Sequence, residues 1–402
     1  MAAFLFDWLS LLGRWLHLIT GIAWIGASFY FVWLDNHLRA PQRAGKDDDT
    51  EGVGGELWAV HGGGFYRSQK YRVAPPRLPA HLHWFYWEAY TTWLSGFFLL
   101  CLIYYTRAEQ FLIDPSVAQL AKPAAIAIGL AFLAGTWLVY DALCRSPLGR
   151  NDRWLGMAIA LLLACEAWAL CHLFSGRGAF IQFGAALGTV MVANVFFVII
   201  PGQRELVRAK LADRVPDPIH GRRGKQRSVH NTYFTLPVLF TMISHHYAMT
   251  YGSSRNWLVL IGMCLAGAAI RVWFVARHKA HERGGRTSPL PAMLGIVILA
   301  VVAFALVPAR SSQPAPAPQS FERVRAIYTQ RCQPCHSAQP TQPGFSTAPN
   351  GVLLDTPEHI LAMLPQTRQQ LFTRAMPLGN LTGMTEPERT QLLGWIDNGA
   401  PR

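Results

Sequence analysis

Eight apolar stretches recur along this chain, near residues 8–33, 84–105, 123–143, 154–174, 183–201, 230–250, 257–277 and 290–308. Each is about the 20 residues needed to cross a hydrocarbon layer roughly 30 Å thick, so each is read as a membrane-spanning helix. Composition agrees: 51% of residues are hydrophobic and only 15% are charged, against about a quarter charged in a soluble protein. The fourteen Trp suit a protein that meets two lipid–water interfaces. The first run has neither a basic leader nor a small-residue cleavage site, and reads as a retained helix.

Charge placement tests that reading. The segments 35–83, 144–153, 201–229 and 277–289 hold 22 Lys and Arg, whereas the alternate segments 1–7, 106–122, 175–182 and 251–256 hold 4. The positive-inside rule then places the rich segments in the cytoplasm and both termini outside. The net charge of +13 is explained by these loops, so no nucleic-acid partner is expected. Membrane lipid is.

After Pro308 the composition changes. Residues 311–320, rich in Pro, Ala and Ser, read as an extended spacer between a membrane domain (1–310) and a small soluble domain (321–402). The fold class expected is all-α: a polytopic helix bundle of about eight transmembrane helices with a C-terminal class I cytochrome c domain. Cys332-Gln333-Pro334-Cys335-His336 is a c-type haem attachment sequence. Its two thiols bond the haem vinyl groups, and His336 reaches the iron. A zinc site would want two further soft ligands, and this domain has no other Cys. The other five cysteines lie in or beside apolar helices and read as packing residues. Met376 and Met384 compete to be the second iron ligand. Met376 stands in an irregular stretch before Pro377, whereas Met384 opens the last helix, expected at 387–397. Met376 is taken.

Ionisable groups inside lipid-spanning helices are costly and usually functional. One set lies towards the cytoplasmic face: His37, His61, His81, His83, Glu88, Asp141, His230, Asn231 and Arg271. A second lies nearer the middle or outer side: Arg14, His17, Glu166, His172, His245 and His246. The bland account is mutual pairing or snorkelling to the interface. His61-Gly-Gly-Gly is similar to an esterase oxyanion loop, but no Gly-x-Ser-x-Gly follows, so it reads as a flexible loop.

Three segments carry a family resemblance. These are His61-Gly-Gly-Gly-Phe-Tyr through Pro79-Ala-His-Leu-His-Trp-Phe-Tyr-Trp-Glu to Gly96, Asn194-Val-Phe-Phe-Val-Ile-Ile-Pro-Gly-Gln203, and Ser228-Val-His-Asn-Thr-Tyr-Phe-Thr-Leu-Pro237. They resemble the bacterial membrane-bound urate oxidases fused to a cytochrome c. The resemblance implies oxidation of urate to 5-hydroxyisourate in purine breakdown, with electrons passed through a haem c to a soluble cytochrome c or terminal oxidase. It also implies a cytoplasmic (inner) membrane location, with the cytochrome domain periplasmic. It supplies no catalytic residues. Urate is a flat anion that wants a guanidinium, amides and an aromatic wall; Arg271, Asn231, Glu88, His83 and Trp87 would meet this if the second, sixth and seventh runs are neighbours. Electrons leaving such a site must cross most of the membrane, which asks for a relay. A b-type haem held by His17 and His245 is expected, with His172 and His230 as further candidates. The stretch His17 to Gly26 is similar to the first helix of membrane haem-b proteins of the protoporphyrinogen-oxidase type. The rival readings are a subunit of a respiratory oxidase or quinol-linked complex, and a redox-gated transporter.

Overall fold

The computed structural model describes residues 1–41, 52–282, 285–307 and 321–401. The spacer expected at 311–320 lies outside them. The chain is mostly helical. The bundle is built from α1 (Ala2–His37), α2 (Trp87–Leu99), α3 (Lys122–Arg145), α4 (Asp152–Leu173), α5 (Gly176–Asn194), α6 (Ile200–Leu211), α7 (Pro218–Ser244), α8 (Asn256–Glu282) and α9 (Leu290–Ala305). A π-helical segment, Val195–Ile199, joins α5 to α6, so that 176–211 form one continuous rod. A second, Leu100–Tyr105, prolongs α2.

Among the described residues, five helices are long and apolar enough to cross a membrane: Phe4–His37, Lys122–Arg145, Asp152–Leu173, Gly176–Leu211 and Asn256–Arg277. The other three expected spans are helical but fall short of that standard. The 84–105 run is divided between α2 and its π-helical extension, α7 begins with a polar half, and α9 has 16 residues. α5 is the centre of the bundle. Small residues and aromatics alternate along it, and Phe180, Phe183, Ala186, Leu187 and Val190 are all but fully buried against α3, α4 and α7. Around the outside the helices turn apolar surface outward, as Trp15, Leu18 and Ile22 do on α1. That much exposed hydrocarbon is compatible with a membrane protein.

The all-α expectation needs one correction. Residues 53–71 form an antiparallel hairpin, β1 (Val53–His61) and β2 (Gly64–Tyr71), with His61 paired to Gly64 across a two-residue turn. Gly62 and Gly63 both have positive φ, 58° and 82°, the backbone a tight hairpin turn requires. The triple glycine is therefore the end of a hairpin, not a flexible loop. Arg67 clasps Glu56 across the strands at 2.7 Å, and Lys70 ties the hairpin to Asp35 of α1 at 2.5 Å.

Residues 321–401 pack around a core of their own. α10 (Phe321–Arg331) crosses the terminal helix, Glu386–Asp397, burying Val324, Ile327 and Tyr328 against Leu392 and Trp395. The helix expected at 387–397 is thus present and packs where its apolar face predicts.

Candidate functional site

The end of the bundle that carries the basic segments encloses a cavity of about 480 Å³, within the range of small-molecule pockets. α1 contributes Trp24, Ser28 and Phe31. The segment entering α2 contributes His83, Trp84, Phe85 and Glu88. Ile199, Gln203 and Lys210 come from the rod, and Ser228 and Asn231 from α7. Glu88 stands in the first turn of α2, where the helix dipole favours a carboxylate. His83 lies edge-on to Phe85, ring centres 4.6 Å apart.

The Asn231 amide is held rather than free. Its Oδ1 accepts from Asn194 Nδ2 at 2.8 Å, and its Nδ2 donates to the Met191 carbonyl at 3.0 Å. One N–H remains for another acceptor. Behind it the Asn194 Nδ2 also donates to the Tyr140 hydroxyl at 3.1 Å, and Tyr140 pairs with His230 Nδ1 at 2.7 Å. Arg227, almost fully buried, bonds Asp141 at 2.6 Å and lies 4.9 Å from the centre of the Tyr140 ring. A polar layer thus backs the cavity and sets the orientation of one of its walls.

Three of the five residues expected around urate therefore meet: His83, Glu88 and Asn231. Arg271 does not line the cavity. Its guanidinium sits 3.9 Å from the centre of the Phe29 ring, with Nε buried and without a hydrogen bond among the described residues. Trp87 is 63% exposed and also stands outside, while Trp24, Phe31, Trp84 and Phe85 supply the aromatic wall. The residues the sequence reading missed are Gln203, Lys210 and Ser228. Lys210 was counted only as a topological charge, in a segment read as loop; because the helix continues through it, its side chain is carried to the cavity.

The histidines expected to hold a membrane haem are dispersed. His17 on α1 bonds the Thr92 carbonyl at 2.9 Å and the Ser95 hydroxyl at 3.2 Å through Nδ1. His245 caps α7 with its ring 3.8 Å from that of His246. Among the described residues, no hydrogen bond or ring contact joins His17 to His245. His172 bonds the Trp168 carbonyl at 2.7 Å, and Glu166 is buried on α4 beside Thr136 and Cys264.

In the C-terminal domain, the Cys332 carbonyl accepts from the N–H groups of Cys335 and His336, at 3.2 and 2.9 Å. This single turn at the end of α10 brings the backbones of the three residues together. Burial pushes the Cys332 thiol up to about 12, with Cys335 adding to the effect. His336 Nδ1 donates to the Val352 carbonyl at 3.1 Å, which leaves Nε2 as the free acceptor, the tautomer an iron ligand needs. Met376 is half-buried, with its carbonyl bound by Arg389 at 2.8 Å. Met384 is buried in the domain core. Among the described residues, no three His, Cys, Asp or Glu side chains gather as a metal would need.

Comparison with curated proteins and with solved structures finds no match. A family profile described as "Urate oxidase N-terminal" matches residues 3–306, nearly all of the bundle and none of the C-terminal domain, and the chain belongs to that family.

Proposed function

We propose that this protein is a membrane-bound urate oxidase that binds urate in the cavity at the basic end of its bundle and hands the electrons to its C-terminal domain. The carrying observation is the cavity itself: aromatic walls, two amides, a carboxylate, an imidazole and an ammonium meet within a region that belongs to a urate oxidase family. Stacking on Trp24, Phe31 and Phe85 suits a flat purine. Gln203 and the remaining N–H of Asn231 answer its carbonyl and ring N–H groups, and Lys210 answers its negative charge.

Urate and one water become 5-hydroxyisourate with the loss of two protons and two electrons, so the oxygen comes from water. In this reading His83 and Glu88 take the protons. Proton acceptors must stand at the reacting atoms, and both line the cavity. The buried Asn194–Asn231 pair holds one recognition amide in register with the rest.

The residues of the C-terminal domain fit a haem c: Cys332 and Cys335 for attachment, His336 and Met376 for the iron. Such a group, when bound, supplies one-electron storage at a potential raised by Met ligation. A soluble cytochrome c or a terminal oxidase would accept its electrons, and a b-type haem on His17 or His245 would shorten the path through the bundle. The same reading takes eight helices across the membrane and leaves both termini outside; five helices among the described residues have the length and apolarity it needs. Residues 73–88, 195–210 and 228–231 meet at one end of the bundle, and 110–117, 171–177 and 251–257 at the other.

Equilibrium binding of labelled urate tests the site. Losing a charge-assisted hydrogen bond costs about 1.5–3 kcal/mol, or roughly 10- to 150-fold in Kd. Lys210→Met should therefore weaken urate binding by at least about tenfold, while Arg271→Leu should change it far less. Unaltered binding in Lys210→Met would overturn the placement.

A further inference from the structure

The C-terminal domain does not hang free of the bundle. Its loop 374–386 closes over the outer end of the helices, enclosing a crevice of about 740 Å³ together with His172, Arg177, Tyr251 and Trp257. Backbone meets backbone at two points of this contact. Gly252, which follows the helical turn Ala248–Tyr251, lies so close to the Thr373 carbonyl that a Cβ on it would overlap the oxygen. Gly379, at φ 54°, lies against the bundle from the other side. A Cβ there would stand 2.9 Å from the carbonyl oxygens of both Glu109 and Gln110. Charged groups line the crevice from both sides, Asp114 and Arg177 from the bundle and Arg374, Glu386 and Arg389 from the domain.

We propose that this contact is a permanent intramolecular seat through which electrons pass from the bundle to the C-terminal domain, entering by the loop that carries Met376. The alternative is a domain that swings on its tether and collects electrons by transient encounter. Two features favour the seat. Side chains meeting across a transient contact can adapt, whereas glycines that admit only backbone, one on each partner, fit a single pose. The docked loop is also the one holding Met376, between Ala375 and Pro377 at the rim of the crevice. A tether alone keeps the domain at a high local concentration, but leaves its orientation open. The seat fixes which face receives the electron. This inference rests on the proposal that the domain carries a haem c.

The test begins with the full-length protein carrying a protease site inserted within residues 308–320. After purification and cleavage, the C-terminal domain should stay with the membrane fragment through size-exclusion chromatography. Gly252→Leu should release it on cleavage, and Gly379→Leu should do the same from the opposite side. Haem that remains bound under denaturing conditions is followed on the same fractions. Before cleavage, the two variants should keep that haem but reduce it at least tenfold more slowly after urate is added. Loss of the domain from the cleaved wild-type protein overturns the seat, as does its retention in both variants. Absence of covalently bound haem would instead overturn the haem reading, while leaving the docking measurement intact.

Discussion

At position 227 an arginine with 3% of its surface exposed is balanced by the Asp141 carboxylate 2.6 Å away. Asp141 also holds Arg145, but that partner is largely exposed and matters less. Removing one member of a buried pair leaves an uncompensated charge, at a cost of about 3–5 kcal/mol. Asp141→Ala should therefore lower the thermal unfolding temperature of the detergent-solubilised protein markedly. Arg145→Ala should shift it little. At this scale the sequence was informative where cost alone decides. His83, Glu88, Asn231, Asp141 and His230 all stood out as polar groups in apolar surroundings, and all lie at the basic end. It misled at Arg271, which was expected to need a substrate because no acidic partner was in sight. The structure offers it the face of Phe29 instead, a compensation that depends on how α8 lies against α1 and leaves no trace in local sequence.

Among the elements, the terminal helix shows how local rules suffice. Thr385 and Glu388 bond each other's backbone N–H groups in a capping box, with Pro387 in the first turn, and the Thr-Glu-Pro-Glu string announces this directly. Partial burial alone would raise the Glu388 carboxyl, but hydrogen bonds from Arg331 and Thr385 hold it below the usual value of 4.5. A carboxyl depressed by folding stabilises the folded state above its unfolded pKa and ceases to do so as pH falls through its folded one. Hydrogen exchange in peptides from 321–401 should therefore accelerate as pH drops below about 4.5, after correction for the intrinsic rate. Glu388→Gln should flatten that dependence, and Thr385→Ala should cost about 1 kcal/mol at neutral pH. Two other elements escaped the sequence reading for physical reasons. The hairpin leaves Trp58, Val60 and Phe65 exposed, so its strands lack the buried face that makes alternation legible. The fifth apolar run was expected to end near residue 201, at Pro201. The π-helical segment immediately before it widens the ladder at Phe197, the residue whose carbonyl a proline at 201 would crowd. The helix runs on, and with it Gln203 and Lys210 reach the cavity.

In the whole molecule, the 36-residue stretch Gly176–Leu211 is about 54 Å long at 1.5 Å per residue. Its first turn borders the crevice under the C-terminal domain, and its last turns wall the cavity. A stiff rod joining two sites would ordinarily act as a lever, passing any push at one end to the other. This rod is soft at one place. Val195–Ile199 lacks the regular α-helical ladder, and Val195 and Ile199 touch the cavity. A ligand pressing there is met by the turn that yields most easily, while α5, buried along most of its length, stays still. Urate should therefore slow amide exchange at 195–199 and leave 180–191 unchanged, as hydrogen-exchange mass spectrometry can resolve. On the proposed function the joint is a mechanical fuse: it would take up the movement of substrate arriving and departing, so that the far end of the rod would receive charge without receiving force.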